Sequence, residues 1–117
     1  MDKRTDKSVK DFITSIANQN PNLVTAYLFG SYAKGKQKDD SDIDLALIID
    51  HLNDSEKFDL QVQLMLEASK FDLRIEPHPF SSDDFYSNNP FTVEIKRTGI
   101  EIKPRTPSRV GKGESLP

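Results

Sequence analysis

Residues 42–50 read DIDLALIID, an apolar run closed at each end by aspartate. Side chains alternate across a strand. Ile43, Leu45, Leu47 and Ile49 therefore share one face, and Asp42, Asp44, Ala46 and Ile48 share the other. The run reads as a buried strand that is entered past two carboxylates on one side. Upstream, residues 23–29 (LVTAYLF) read as a preceding strand, which Gly30-Ser31 turns. A short helix is expected over Tyr32–Lys34, then a polar loop over Gly35–Ser41.

The remaining segments follow from periodicity and punctuation. Ser8 with Asp11 forms a capping-box pattern, and Val9, Phe12, Ile13, Ile16 and Ala17 follow at helical spacing. This helix is expected to stop before Asn20-Pro21. Asp54 or Ser55 is expected to cap a second helix to about Ser69, with Phe58, Val62, Met65 and Leu66 as its apolar stripe. Phe71–Glu76 alternates like a strand, with Phe71, Leu73 and Ile75 on one side and Asp72, Arg74 and Glu76 on the other. Ser81 with Asp84 signals a short helix, and Asn89-Pro90 and Gly99 bracket a further one. Ile100–Lys103 is a last strand. The order predicts an α/β (α+β) fold with a small sheet flanked by helices. The expected division is one domain over 1–103 and a disordered tail over 104–117, which holds three prolines, two glycines and little to bury.

Composition narrows the function classes. The chain has 117 residues, too few for two domains, with 35% hydrophobic and 30% charged residues. A formal charge of −3 argues against a global electrostatic grip on duplex nucleic acid. The absence of cysteine excludes disulfides and thiolate metal sites, and a cytoplasmic location fits it. No apolar run approaches the roughly 20 residues of a membrane helix, and MDKRTDKSVK lacks the apolar segment of a signal peptide.

Each acidic feature has an ordinary explanation. Aspartate is common in turns that lead into strands, and Asp72 and Glu76 flank Arg74 and could simply pair with it. The combination says more. Asp42 and Asp44 lie two apart on a strand, with Cα atoms roughly 6–7 Å apart. Carboxylates so close repel unless a cation lies between them or one takes a proton. Hard divalent ions accept such oxygens and fill their remaining positions with water and phosphate. A third carboxylate from a neighbouring strand would complete the geometry that holds two metals. Gly30 lets the backbone approach an anion, Ser31 adds a donor, and Lys34, Lys36 and Lys38 bring positive charge. His78, between Pro77 and Pro79, is a weaker candidate near the acceptor, and His51 carries no signal.

Gly30-Ser31, ten intervening residues and then Asp42-Ile43-Asp44 resemble the signature of the nucleotidyltransferase fold shared with DNA polymerase β. Over roughly Ser8 to Lys103 the chain is similar to the minimal nucleotidyltransferases (MNT proteins). Phe71-Asp72-Leu73-Arg74 matches the strand that carries that family's third carboxylate, although a typical match has an apolar residue where Arg74 stands. Glu76 could share or replace the role of Asp72. The resemblance implies a metal-dependent transferase moving a nucleotidyl group, AMP from ATP, to a hydroxyl acceptor with release of pyrophosphate. Gly30, Ser31 and Lys34 would meet the triphosphate, and Asp42, Asp44 and Asp72 would hold two Mg²⁺ or Mn²⁺ ions. It also implies an alternative role as antitoxin or regulator of a helical HEPN-type toxin, by AMP transfer or by binding. A homodimer and a nucleotide-binding module without activity are further readings.

Overall fold

The computed structural model describes residues 1–105. Most of the expected tail, from residue 106 onward, therefore lies outside the described residues. Helix α1 (Lys3–Gln19) leads to strands β1 (Leu23–Phe29) and β2 (Ile43–Ile49), helix α2 (Asp54–Ala68) and strand β3 (Ile75–Ser81). Helices α3 (Ser82–Phe85) and α4 (Pro90–Thr98) and strand β4 (Ile100–Ile102) follow. The sheet runs β3-β2-β1-β4. β1 pairs antiparallel with both β2 and β4, while β2 and β3 are parallel. Parallel neighbours need a crossover, and α2 supplies it. The fold is the mixed α/β arrangement that the sequence predicts.

β2 is central and feeds two cores. Its Ile43, Leu45, Leu47 and Ile49 pack with Val9, Phe12, Ile13 and Ile16 of α1 and with Leu64 and Ala68 of α2 in the larger cluster. On its other face Ala46 and Ile48 meet Phe85 and Ile95 in a smaller cluster edged by Tyr27, Phe29 and Phe80. α3 and α4 supply the cover on this side. Full burial of such aliphatic side chains stabilises by about 1.5–3 kcal/mol each. The second face is thus apolar at the far end of β2, and it opens toward Asp44 at the near end.

Several local expectations are corrected. α1 starts earlier than Ser8, because Asp2 is the N-cap and accepts from the Thr5 amide at 2.8 Å. α2 is capped by Asn53, with Glu56 closing the box, rather than by Asp54 or Ser55. Its expected stripe faces outward: Phe58 is 76% exposed, and Val62, Met65 and Leu66 are exposed too. The buried side is Leu64 and Ala68, with Leu60 partly covered. Apolar residues occupy two sides of this helix, so spacing alone did not choose between them. Tyr32–Lys34 is a run of turns, not a helix.

The strand expected over Phe71–Glu76 is displaced. Phe71–Arg74 is a turn, and β3 begins at Ile75 and runs through Pro77-His78-Pro79. Asp72 folds back on the chain, and its Oδ1 accepts from the Arg74 amide at 2.9 Å. Such a side-chain turn competes with strand geometry. The two prolines are tolerated because β3 is an edge strand. The Pro77 carbonyl accepts from Gln61 of α2 rather than from β2, so the residues alternating with His78 turn their backbone polar groups to the free edge.

Candidate active site

The ends of three strands build the site. Phe29, the last residue of β1, lies opposite Asp44, and Asp44 lies opposite Glu76 of β3. All three therefore project from one sheet face, and His78 follows two residues beyond Glu76 on that face.

Gly30 leaves β1 with φ +75°, a conformation that disfavours any side chain. A Cβ there would also lie 2.5 Å from Asp44 Oδ2. The glycine turn and one carboxylate oxygen of Asp44 are thus packed face to face. Asp44 Oδ1 points the other way, 3.2 Å from His78 Nε2. Glu76 Oε1 lies 3.7 Å from the same nitrogen. Donor atoms of Asp44, Glu76 and His78 all fall within 4.8 Å of one another. Their side chains are only partly covered, at 23%, 43% and 31% exposure, so the cluster opens to solvent.

The electrostatics of the cluster are unfavourable as it stands. The carboxyl of Glu76 is raised above the ordinary glutamate value, first by burial, then by its hydrogen bond with Asp44 and by the charge of Asp42. Asp42 is exposed just before β2 and is near enough to act on Glu76, though it lies outside the close group of three. Crowded carboxylates of this kind are relieved by a cation. The donor set fits a divalent ion. Octahedral ligands about 2.1 Å from a small cation stand roughly 3 Å apart, and the observed separations need only a modest contraction.

Asp72 does not join this group. Its two oxygens take the guanidinium of Arg74 at 3.0 Å (Nε to Oδ1) and 2.7 Å (Nη2 to Oδ2). Arg74 holds the Asp72 carboxyl below the usual aspartate value. The same guanidinium donates to the Tyr32 hydroxyl at 2.8 Å, the Asp39 carbonyl at 3.2 Å and the Thr5 hydroxyl at 3.0 Å. Arg74 therefore ties the loop after Gly30 to α1 and to the turn before β3. The Arg74 side chain, where a typical match has an apolar residue, gives the Asp72 carboxylate two hydrogen bonds, and the Arg74 amide gives a third.

The turn after β1 is also ordered by its own backbone. The Lys36 amide donates to the Ser31 carbonyl at 2.9 Å, and the Lys34 amide to the Gly30 carbonyl at 3.3 Å. Ser31 is partly covered and Lys34 is exposed. Behind the carboxylates the His78 ring leans on Phe29 (centroids 5.3 Å), which meets Phe91 edge-on (5.9 Å). The sequence pattern marks His78 and Glu76 only weakly, because their side depends on the register of a strand that runs on to Ser81. Pro77 and Pro79 at alternate positions, with His78 between them, were the signal that an edge strand continued.

Residues 11–105 match the family model described as polymerase beta, nucleotidyltransferase, and the chain belongs to that family. Solved structures show the same fold. A protein from Sulfolobus solfataricus described as a candidate nucleotidyltransferase is 24% identical, with a TM-score of 0.59 over 81% of this chain and 76% of that one. A toxin–antitoxin complex with AMP-PNP contains a chain 27% identical, with a TM-score of 0.54 over 79% of this chain and 70% of its own. A mutant MntA–HpeT toxin–antitoxin complex gives 25% identity and a TM-score of 0.52 over the same shares. No curated protein matches the chain closely in sequence.

Proposed function

We propose that this chain transfers a nucleotidyl group, AMP from ATP, to a hydroxyl acceptor, with release of pyrophosphate. The observation that carries the reading is the placement of Asp44 between the glycine turn on one side and Glu76 with His78 on the other. The β- and γ-phosphates would rest against Gly30-Ser31, where Gly30 itself adds no side chain, and Lys34 would add mobile positive charge. Asp42 and Asp44 would hold the cation on the triphosphate, and Asp44 and Glu76 the one at the acceptor. Glu76 takes the place that the motif gave Asp72, because Asp72 is already committed to Arg74. Bound Mg²⁺ or Mn²⁺ supplies charge neutralisation at the α-phosphorus and a lowered acceptor pKa. The strand ends keep the carboxylates spaced, and the ordered loop keeps the phosphate turn in line with them.

Incubation of the chain with Mg²⁺ and ATP labelled at the α- or the γ-phosphorus tests this. Label retained on an acceptor only from the α position, with pyrophosphate as co-product, is the expected result. Retention of the γ-label instead would make the protein a kinase and overturn the assignment.

A second reading is favoured by two observations. Two structural relatives are toxin–antitoxin complexes, and α2 presents an exposed apolar stripe, Phe58, Val62, Met65 and Leu66. In this reading the acceptor is a protein, a helical HEPN-type toxin, which the chain neutralises by AMP transfer or by binding. Pyrophosphate release that needs a co-expressed protein from a neighbouring gene would support it. Release with a small-molecule acceptor alone would favour an ordinary transferase. Homodimerisation through the same stripe is a further outcome that sedimentation would detect.

A further inference from the structure

We infer that His78 is itself a metal ligand, so that the acceptor-side cation is held by one imidazole nitrogen and two carboxylates and the site favours Mn²⁺ over Mg²⁺. The inference rests on the cation site of the proposed transferase but assigns a donor and an ion preference that the motif does not contain.

His78 Nε2 lies 3.2 Å from Asp44 Oδ1 and 3.7 Å from Glu76 Oε1. It faces the gap between two acids, on the side of Asp44 away from the phosphate turn. The ring is held in place from three directions. Phe29 packs against it, and Pro77 and Pro79 fix the backbone on either side through their locked φ. Ala46, opposite His78 across β2, is too small to push the ring away. Pre-set ligands of this kind lose little entropy on binding.

The donor set then selects the ion. Mg²⁺ asks for oxygen in near-ideal octahedral geometry and keeps its water. Imidazole suits transition ions rather than Mg²⁺, and among the first-row divalent ions Mn²⁺ is the one that also suits carboxylate and water. Asp44, Glu76 and His78 would hold the ion from the protein side, and the solvent-facing side of the cluster would stay accessible to water and an acceptor oxygen. A purely electrostatic role for His78, as a cation paired with Asp44, would need no second carboxylate beside it and would be displaced when a metal enters.

Pulsed EPR on the full chain loaded with Mn²⁺ alone tests the assignment without relying on turnover. The expected spectrum carries ¹⁴N coupling from an imidazole, which changes to ¹⁵N coupling when the protein is made with ¹⁵N-histidine. His78→Gln should abolish the coupling while His51→Gln leaves it. In equilibrium binding His78→Gln should weaken Mn²⁺ by at least about tenfold and Mg²⁺ by less than about threefold. Mn²⁺ bound with no nitrogen coupling, no Mn²⁺ binding at all, or equal losses for both ions would overturn the inference. Nitrogen-coupled Mn²⁺ in a protein that moves no label would leave it standing and overturn the transferase reading instead. Label transfer without nitrogen coupling would do the reverse.

Discussion

Asp72 and Glu76 lie four residues apart and have opposite fates. Asp72 sits in a turn where every oxygen has a donor, and its carboxyl is held low by Arg74. Glu76 sits on a strand face beside Asp44 and Asp42, and its carboxyl is pushed up by burial and by these neighbours. The difference separates two kinds of acid. One is satisfied within the fold and contributes to it. The other is left in conflict, which a fold tolerates where a ligand will resolve it. The first region stabilises the platform, and in the proposed function the second holds the cation.

The largest expected effect divides the two by rate. Loss of a metal ligand should cost about 3–5 kcal/mol of transition-state stabilisation, a rate loss on the order of 10²–10⁴. Glu76→Gln should show that loss with triphosphate affinity nearly unchanged, because Asp42 and Asp44 remain. Asp72→Asn should keep most of the rate in a single-turnover assay at a temperature where it is folded. An inactive Asp72→Asn with an active Glu76→Gln would break the comparison and return the third ligand to the position that the motif implies.

Gly30→Ala probes the boundary between phosphate turn and carboxylate. The substitution places a methyl against Asp44 Oδ2 and forces a left-handed alanine, a strain of about 1–2 kcal/mol. Both Asp44 and the backbone must shift to relieve it. We expect weaker triphosphate binding in calorimetry with the melting temperature lowered by roughly 4–16 °C. Unchanged affinity would place the phosphate cradle elsewhere.

The signs of the two acids should reverse in stability. Asp72→Asn leaves Arg74 without its anionic partner, and charge-assisted hydrogen bonds of this kind contribute about 1.5–3 kcal/mol. Denaturant unfolding at neutral pH should show that loss. Glu76→Gln removes a like charge from the cluster, and the metal-free protein should unfold at the same or a higher denaturant concentration. The pH dependence follows from the sign of the Asp72 shift. Its folded value lies below the unfolded one, so its contribution is complete above the unfolded value of about 3.9 and falls away as pH drops through the lowered folded value. The parent and Asp72→Asn stability curves should converge in acid. A gap that stays constant down to pH 2 would mean that the ion pair is not its source.

How much of this was legible in the sequence depended on how far each relation reaches along the chain. Gly30 and Asp44 belong to consecutive antiparallel strands, so a turn and an alternation pattern suffice to bring them together. The choice between Asp72 and Glu76 needed the parallel register across α2, and it needed Arg74's partners, which come from Thr5, Tyr32 and Asp39. No local spacing encodes either. α2 hid its orientation for a different reason: Leu60, Leu64 and Ala68 form one apolar side and Phe58, Val62, Met65 and Leu66 another. Only the packing against β3 and α1 decides which is buried.

The smallest effect tests whether the Arg74 region is as separate from the chemistry as its geometry suggests. Tyr32 is 9% exposed, and its ring belongs to the larger core. Only its hydroxyl reaches Arg74, accepting from Nη1 at 2.8 Å. Tyr32→Phe keeps the ring and removes that one contact, while Arg74 retains Asp72, Thr5 and the Asp39 carbonyl. A single such bond is worth about 0.5–1.5 kcal/mol. The loss should appear as a small drop in unfolding free energy and as faster amide exchange in the loop from Ser31 to Ser41. The carboxylate cluster touches none of these groups directly, so the rate of the chemical step should hold within about twofold, a difference of roughly 0.4 kcal/mol. A rate loss in Tyr32→Phe as large as that in Glu76→Gln would show that the loop takes part in the chemistry, and the two acids would no longer belong to separate regions.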